Sequence, residues 1–151
     1  MKLYRIASRH FPIFDGTGAK LHGGRWNSPG RSIIYTSGSL SCARLEVLVH
    51  SGRDLPPGNH ASIEIEVPDV VTSVSLGLSQ LPPGWDEVPD IDRAKVIGDQ
   101  WFDRMEGLLL CVPSVASAGD FNYLINQQHP EFGRLRPSDP APVDWDSRLL
   151  K

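Results

Sequence analysis

The chain has 151 residues, of which 40% are apolar and 22% charged, so it can bury a core and is not a disordered protein. Its formal net charge of −3 excludes the basic excess of a protein that coats nucleic acid, although a local site for a phosphate-bearing small molecule stays open. No run approaches the ~20 apolar residues of a membrane span, and we expect neither a membrane anchor nor a secretory signal.

The first predicted elements are short and separated by glycine. Residues 3–7 (LYRIA) predict a strand, and the glycine-rich residues 11–27 predict a structured loop without strand or helix. Residues 32–37 (SIIYTS) predict a second strand, because they are β-branched and aromatic. Residues 39–50 then predict a helix that a serine caps and Gly52 ends. Its predicted apolar face comprises Leu45, Leu48 and Val49.

The second half of the chain is predicted to hold further strands around one helix. The predicted strands span residues 61–68, 70–74, 107–113 and 121–126. Residues 92–105 predict a helix that is interrupted near Gly98. Strands and helices do not alternate regularly, which favours an α+β fold over a doubly wound one, and we expect one compact domain over residues 1–151.

The most informative stretch for chemistry runs from Gly23 to Glu46. Arg25 lies in a glycine loop (GGRWN), where its planar guanidinium and nearby backbone N–H groups suit a phosphate. Tyr35 on the next strand can stack on a flat ring. Glu46 on the following helix can bind ribose hydroxyls and stabilise a positive, sugar-like transition state.

A second stretch follows the apolar strand 107–113. Ser114 comes directly after Pro113, and Asn122 begins the next predicted strand, so both lie where sites concentrate. Ser114 is not in a G-x-S-x-G elbow, which favours a positioning hydroxyl over a nucleophile. Every residue singled out in these two stretches also has an ordinary structural explanation, as a loop brace, a strand tyrosine, a solvated helix carboxylate or a turn residue.

Cysteine and histidine patterns indicate no metal centre. Cys42 and Cys111 form no C-x-x-C pair, and the five histidines include no H-x-x-x-H pair. We expect both cysteines to be buried reduced thiols in a cytoplasmic protein.

The motifs together resemble the RES domain family, which is named for a shared Arg, Glu and Ser. The resemblance runs in order through nearly the whole chain, in LYRIA, GAKLHGGRWN, IIYTS, ARLEVLVH, VPSVAS and NYLINQQHPEF. It assigns the family's Arg to Arg25, its Glu to Glu46 and its Ser to Ser114. Arg5 and Tyr35 match two further positions of the family's pocket.

The resemblance implies a toxin of a type II toxin–antitoxin pair. It implies a fold like that of the diphtheria-toxin-like ADP-ribosyltransferases, NAD+ as the substrate, no metal, and an Xre-type antitoxin as partner. Members of the family either destroy NAD+ by hydrolysis or phosphorolysis or transfer ADP-ribose to a protein. Any binding of DNA then belongs to the antitoxin, since this chain is acidic.

The resemblance and the residue chemistry together give each side chain a role. Arg5 and Arg25 are expected to hold phosphate or ribose oxygens, and Tyr35 to pack on the nicotinamide or its ribose. Glu46 is expected to bind the nicotinamide ribose and stabilise the developing cation, while Ser114 and Asn122 orient a ribose or the carboxamide. The expected catalytic residues are Arg25, Tyr35 and Glu46.

Three functions remain open at this point. The first is an enzyme that depletes NAD+ with water or phosphate as acceptor, and the second is a mono-ADP-ribosyltransferase that modifies one cellular protein. The third is a non-catalytic interaction module, which would gain support if Glu46 and Arg25 were apart and facing solvent.

Overall fold

The computed structural model describes residues 1–51 and 59–150. In these ranges the strands are β1 Lys2–Ser8, β2 Ile33–Ser37, β3 His60–Glu66, β4 Ser73–Ser75, β5 Leu109–Pro113, β6 Phe121–Asn126, β7 Arg136–Pro137 and β8 Ala141–Pro142. The α-helices are α1 Thr17–His22, α2 Leu40–Ser51 and α3 Lys95–Asp103, and short 3-10 turns cover residues 78–80, 132–134 and 147–150. None of the helices in the described part of the chain is long and apolar enough to cross a membrane.

All eight strands join one sheet in the order β4-β5-β6-β2-β1-β3-β7, with β8 also paired to β3. Neighbouring strands are antiparallel except β4 and β5, which are parallel. The contact between β1 and β2 is the narrowest of the central ones, since it consists of the single pair Tyr4 and Ser37. The sheet therefore has a weakly paired seam in its middle.

The core lies on both faces of the sheet, because adjacent strand residues point to opposite sides. Leu109, Ile34 and Ile125 belong to one buried cluster, whereas their chain neighbours Leu110, Ile33 and Leu124 belong to the other. The aromatic residues Trp26, Trp101 and Phe102 also belong to the second cluster. This second face carries Tyr35, and the register places Ser37 and Asn122 on the same side.

The α+β class and most of the predicted strands are confirmed, with ends that differ by one or two residues. The exception among the strands is 70–74, which is observed as the shorter β4 shifted toward Ser75. The prediction of a helix-free loop over residues 11–27 is wrong, because α1 forms within it. Cys42 and Cys111 are free and buried, as expected.

Helix α2 forms where it was predicted, but its buried face is a different one. Ser39 caps the helix, because its Oγ accepts a hydrogen bond from the Cys42 N–H at 3.1 Å. Cys42 and Ala43 are buried, whereas Leu45 and Val49 are 39% and 58% exposed, so the predicted apolar face is wrong. The predicted end at Gly52 lies outside the described residues.

Helix α3 runs through Gly98 without the predicted interruption. Gly98 is buried, and a Cβ added there would overlap the carbonyl oxygen of Trp26. The glycine thus permits close approach of α3 to the loop that precedes β2, and it does not break the helix.

Candidate active site

Polar side chains from two neighbouring strands continue the second apolar face toward one end of the sheet. Tyr35 and Ser37 are two residues apart on β2 and therefore share a face. The register pairs Ser37 with Asn122 and Tyr35 with Leu124 on β6. Asn122 thus lies on the same face as Tyr35, one strand away.

Glu46 reaches this face from α2. It lies four residues after the buried Cys42, so both side chains point from the helix toward the sheet. Its Oε1 accepts hydrogen bonds from Ser114 Oγ at 2.9 Å and from Asn122 Nδ2 at 2.7 Å. The side chain stays 24% exposed, so the carboxylate is fixed yet open to a ligand. His50 hydrogen-bonds the main-chain carbonyl of Glu46 at 2.6 Å, and its Nδ1 is 4.0 Å from Oε2.

Ser114 is held within the connection between β5 and β6, residues 114–120. Its N–H donates to the Asp120 carbonyl at 3.0 Å, and its Oγ accepts the Ser117 N–H at 3.0 Å. The Ser117 hydroxyl in turn donates to Asp120 Oδ2 at 2.6 Å. Ser114 is only 5% exposed, and its hydroxyl donates a hydrogen bond to Glu46. In this structure it therefore positions the Glu46 carboxylate.

Tyr35 is tied to the glycine loop. Its hydroxyl donates to Asn27 Oδ1 at 2.6 Å and accepts the Trp26 N–H at 3.1 Å. Burial raises the pKa of Tyr35 above its ordinary value, so the phenol is neutral at physiological pH. Gly24 makes room for the ring, since a Cβ there would come within 2.6 Å of the Tyr35 oxygen.

Arg25 lies against residues 85–90, which precede α3. Its Nη1 donates to the carbonyls of Trp85 at 2.9 Å and Glu87 at 3.1 Å, and it is 3.6 Å from Asp90 Oδ1. The Arg25 side chain is 21% exposed. Its Nε and Nη2 donate no hydrogen bond among the described residues, so these donors are available to an anion.

Arg5 differs from Arg25 in how its donors are used. Its Nε donates to the Ile13 carbonyl at 2.7 Å and its Nη1 to the Tyr35 carbonyl at 2.8 Å. Burial lowers the pKa of Arg5 from its ordinary value, although an arginine remains charged. The side chain bridges β1, the following loop and β2 on the side of the seam where these strands no longer pair.

The structure brings the sequence-derived residues into two hydrogen-bonded groups. One group joins Glu46, Ser114 and Asn122. In the other, Tyr35 bonds Trp26 and Asn27 of the loop 24–27, and Arg25 of the same loop bonds the Trp85 and Glu87 carbonyls. Arg5 is linked to the second group through the Tyr35 main chain. In the described ranges no group of three or more His, Cys, Asp or Glu side chains has the geometry to hold a metal ion.

Sequence analysis missed three residues of this region, namely Asn27, Ser37 and Cys42. Asn27 is fully buried, donates to the carbonyls of Ala19 and Ser28 and accepts the Tyr35 proton. Ser37 and Cys42 both contact Asn122 Oδ1. Two signals were available: Ser37 shares the strand face of Tyr35, and Cys42 is four residues before Glu46.

Comparison with known proteins gives one family and several relatives. The RES domain family matches residues 2–146. The "Prs ADP-ribosylating toxin" of a Sphingobium species (strain YBL2) is 37% identical over 91% of this chain and 86% of its own length. Proteins called "Toxin Res" from Pseudomonas putida and Photorhabdus laumondii are 36% and 33% identical, each over 98% or more of both chains.

A solved structure shares the fold. A chain in the crystal structure of the Mycobacterium tuberculosis MbcT–MbcA toxin–antitoxin complex superposes with a TM-score of 0.72. The match covers 94% of this chain and 83% of that chain at 20% sequence identity.

Proposed function

Because the chain belongs to the RES domain family, we propose that this enzyme is the toxin of a toxin–antitoxin pair and cleaves the nicotinamide–ribose bond of NAD+. The names of its relatives, a toxin in each case and an ADP-ribosylating toxin in one, support the proposal. NAD+ is the donor of ADP-ribose, so both the depletion and the transfer of ADP-ribose begin with the same bond.

The observation that carries the proposal is the Glu46 carboxylate. Ser114 and Asn122 fix its Oε1, while its Oε2 accepts no hydrogen bond from the described residues and the side chain is partly exposed. A carboxylate held in this way is preorganised to bind a ribose hydroxyl and to stabilise positive charge on the sugar, and it needs no rearrangement during the reaction.

The second hydrogen-bonded group suits the rest of NAD+. Arg25 offers Nε and Nη2 to the pyrophosphate, since Nη1 is already held by the Trp85 and Glu87 carbonyls. Tyr35 presents a neutral ring that packs against the nicotinamide or its ribose. Ser114 and Asn122 contribute through Glu46, and Arg5 contributes by holding the Tyr35 main chain.

The proposed reaction needs no oxidant. The bond between ribose C1 and the nicotinamide nitrogen breaks, and nicotinamide leaves with the electron pair as a neutral molecule. The resulting oxocarbenium-like ribose is stabilised by Glu46 and captured by water or phosphate, which loses a proton on addition. Hydrolysis gives ADP-ribose, and phosphorolysis gives its phosphate.

Transfer to a cellular protein is the second candidate, and the name of the Sphingobium relative favours it. The donor site is the same in both cases, and only the acceptor differs. The interaction module is the weakest candidate, because Arg25 and Glu46 are each less than a quarter exposed and lie in organised polar surroundings.

The remaining parts of the proposal concern scaffold and partner. We place residues 1–151 in a single RES domain with the diphtheria-toxin-like ADP-ribosyltransferase arrangement. Its partner is an antitoxin, of the Xre type, and the toxin–antitoxin complex that contains the structural neighbour supports such a partner. Free cysteines fit action in the reducing cytoplasm.

Following the label from NAD+ tests the proposal. The purified chain is incubated with NAD+ labelled in the adenylate part, with and without phosphate and a cell lysate. Label in ADP-ribose or its phosphate supports depletion, and label on one lysate protein supports transfer and identifies the target. NAD+ that stays intact under all of these conditions would contradict both and leave the interaction module.

Glu46→Gln is the decisive variant. It keeps the size and one hydrogen-bond acceptor of the side chain but removes the negative charge, so we expect turnover to fall by roughly 10²-fold or more with NAD+ binding retained. Glu66→Gln, on the exposed end of β3, is the matched control and should behave like the wild type. Equal turnover in Glu46→Gln and Glu66→Gln would contradict the role of Glu46.

A further inference from the structure

We infer that Ser37 is a positioning residue for Glu46 and acts on it through the amide of Asn122. The inference rests on the proposed function, because it assigns Ser37 a part in the catalysis that Glu46 performs. Ser37 was not among the residues that the sequence suggested.

The contacts form a directed chain of hydrogen bonds. Ser37 Oγ donates to Asn122 Oδ1 at 2.8 Å, and Asn122 Nδ2 donates to Glu46 Oε1 at 2.7 Å. Cys42 Sγ, at 3.7 Å, is a second and weaker donor to the same Oδ1. Ser37 and Asn122 are paired in the register of β2 and β6. The series of hydrogen bonds therefore runs from β2 to the neighbouring β6 and ends at Glu46 on α2.

The charge of Glu46 fixes the direction of this chain. A carboxylate accepts hydrogen bonds only, so the amide of Asn122 must turn Nδ2 toward Glu46 and Oδ1 away from it. Oδ1 then lies beside the buried Ser37 and requires a donor, which the hydroxyl provides. Each hydrogen bond polarises the next one. Removal of the Ser37 hydroxyl therefore weakens the hydrogen bond from Asn122 to Glu46.

Ser37 is itself anchored more firmly than its neighbours. It pairs with Asn122 on one side and with Tyr4 on the other, and the pair with Tyr4 is the one that joins β1 to β2. Its position is therefore set by three strands. A hydroxyl in such a place transmits the geometry of the sheet to the carboxylate on α2.

Strand β2 offers a matched control. Thr36 is buried to the same degree as Ser37, and its hydroxyl donates to the Tyr123 carbonyl at 2.6 Å on the opposite face. Thr36→Val and Ser37→Ala each remove one buried hydroxyl from adjacent positions of the same strand. Only Ser37→Ala breaks the chain to Glu46.

The test combines kinetics with a double-mutant cycle. We expect Ser37→Ala to lower kcat for NAD+ consumption by about threefold to tenfold with KM within twofold, and Thr36→Val to leave both within twofold. Asn122→Ala should lower kcat at least as much, and Ser37→Ala combined with Asn122→Ala should be no slower than Asn122→Ala alone. Losses that multiply, or a Ser37→Ala enzyme that matches Thr36→Val, would overturn the inference.

A second readout does not depend on activity. The side-chain NH₂ resonances of Asn122 report its bond to Glu46, and we expect Ser37→Ala and Glu46→Gln to shift them while Thr36→Val does not. Unchanged Asn122 resonances in Ser37→Ala would overturn the inference even in a protein that leaves NAD+ intact. Shifted resonances without NAD+ consumption would support the positioning and contradict the proposed function.

Discussion

The guanidinium of Arg5 donates two hydrogen bonds to main-chain carbonyls that belong to different segments, Ile13 and Tyr35. Main-chain carbonyls in a buried place need partners, and β1 and β2 supply few to one another beyond the pair Tyr4 and Ser37. The side chain therefore replaces strand pairing at the seam. These bonds use Nε and Nη1 only, so the ligand contact that the family resemblance suggested for Arg5 stays a prediction.

Arg5→Lys separates the two roles. Lysine keeps the charge but has one nitrogen in place of the fork, so it cannot satisfy both carbonyls. We expect the free energy of unfolding in urea to fall by about 1–3 kcal/mol with an unchanged m value. Arg9→Lys, at an exposed arginine four residues later, is the control. Wild-type stability together with weaker NAD+ binding would show that Arg5 is a ligand residue instead.

At the scale of elements, the approach of α3 to the loop before β2 depends on one glycine. Helix α3 contributes Trp101 and Phe102 to the cluster that contains Trp26, and Gly98 lies against the Trp26 carbonyl. The same loop carries Arg25, so the position of α3 and the geometry of the site are linked.

We expect Gly98→Ala to destabilise the protein although alanine is the better helix former. The added methyl overlaps the Trp26 carbonyl oxygen, and overpacking of this kind typically costs about 1–3 kcal/mol. Gly18→Ala in α1 is the control, because a Cβ there meets no atom within 4 Å, and it should be neutral or slightly stabilising. Thermal unfolding of both variants checks this, and an equal Tm for the pair would contradict it.

Local patterns predicted the elements well and their contacts less well. Alternation identified the strand predicted over 61–68, because β3 buries one face and leaves the other partly exposed. The helix after β2 was also found, yet its apolar residues Leu45 and Val49 proved exposed. In the structure the smaller Cys42 and Ala43 fill the space against the sheet, and only this choice of face turns Glu46 inward.

The site was only partly predictable for a related reason. Arg25, Tyr35 and Glu46 lie in one stretch of sequence and could be linked by inspection. The partners of Glu46 come from much further along the chain, 68 residues away for Ser114 and 76 for Asn122. The pairing of β2 with β6, which brings Ser37 to Asn122, cannot be predicted from the sequence of either strand alone. Helix α1 was missed because Gly18 within it and Gly16 and Gly23 at its ends indicate a loop.

At the scale of the whole molecule, the Glu131 carboxylate joins the segment that follows β6 to the start of the edge strand β4. Glu131 Oε2 accepts the N–H of Thr72 at 2.9 Å and its hydroxyl at 2.7 Å, directly before β4. The Thr72 hydroxyl also accepts the Leu108 N–H ahead of β5. The bonds from Thr72, together with His129 and Arg134 nearby, lower the pKa of Glu131.

This carboxylate makes stability depend on pH. A pKa that folding lowers gives stability that is present above the ordinary value of about 4.5 and is lost as the pH falls through the lowered value. We expect wild type to have a higher urea midpoint than Glu131→Gln at pH 6, and the gap to narrow below about pH 4. The control Glu66→Gln should show no such change, and a gap for Glu131→Gln that is independent of pH would contradict the assignment.

The order of strands in the sheet has a consequence for synthesis of the chain. Strand β6 lies between β5 and β2 and joins them in the sheet. It follows both strands in the sequence and is therefore synthesised after them. A nascent or truncated chain that stops before Phe121 has Glu46 but lacks Asn122, and its β2 lacks the neighbour that β6 provides. The proposed toxicity therefore requires that synthesis has passed Asn122 and that β6 has inserted between β5 and β2.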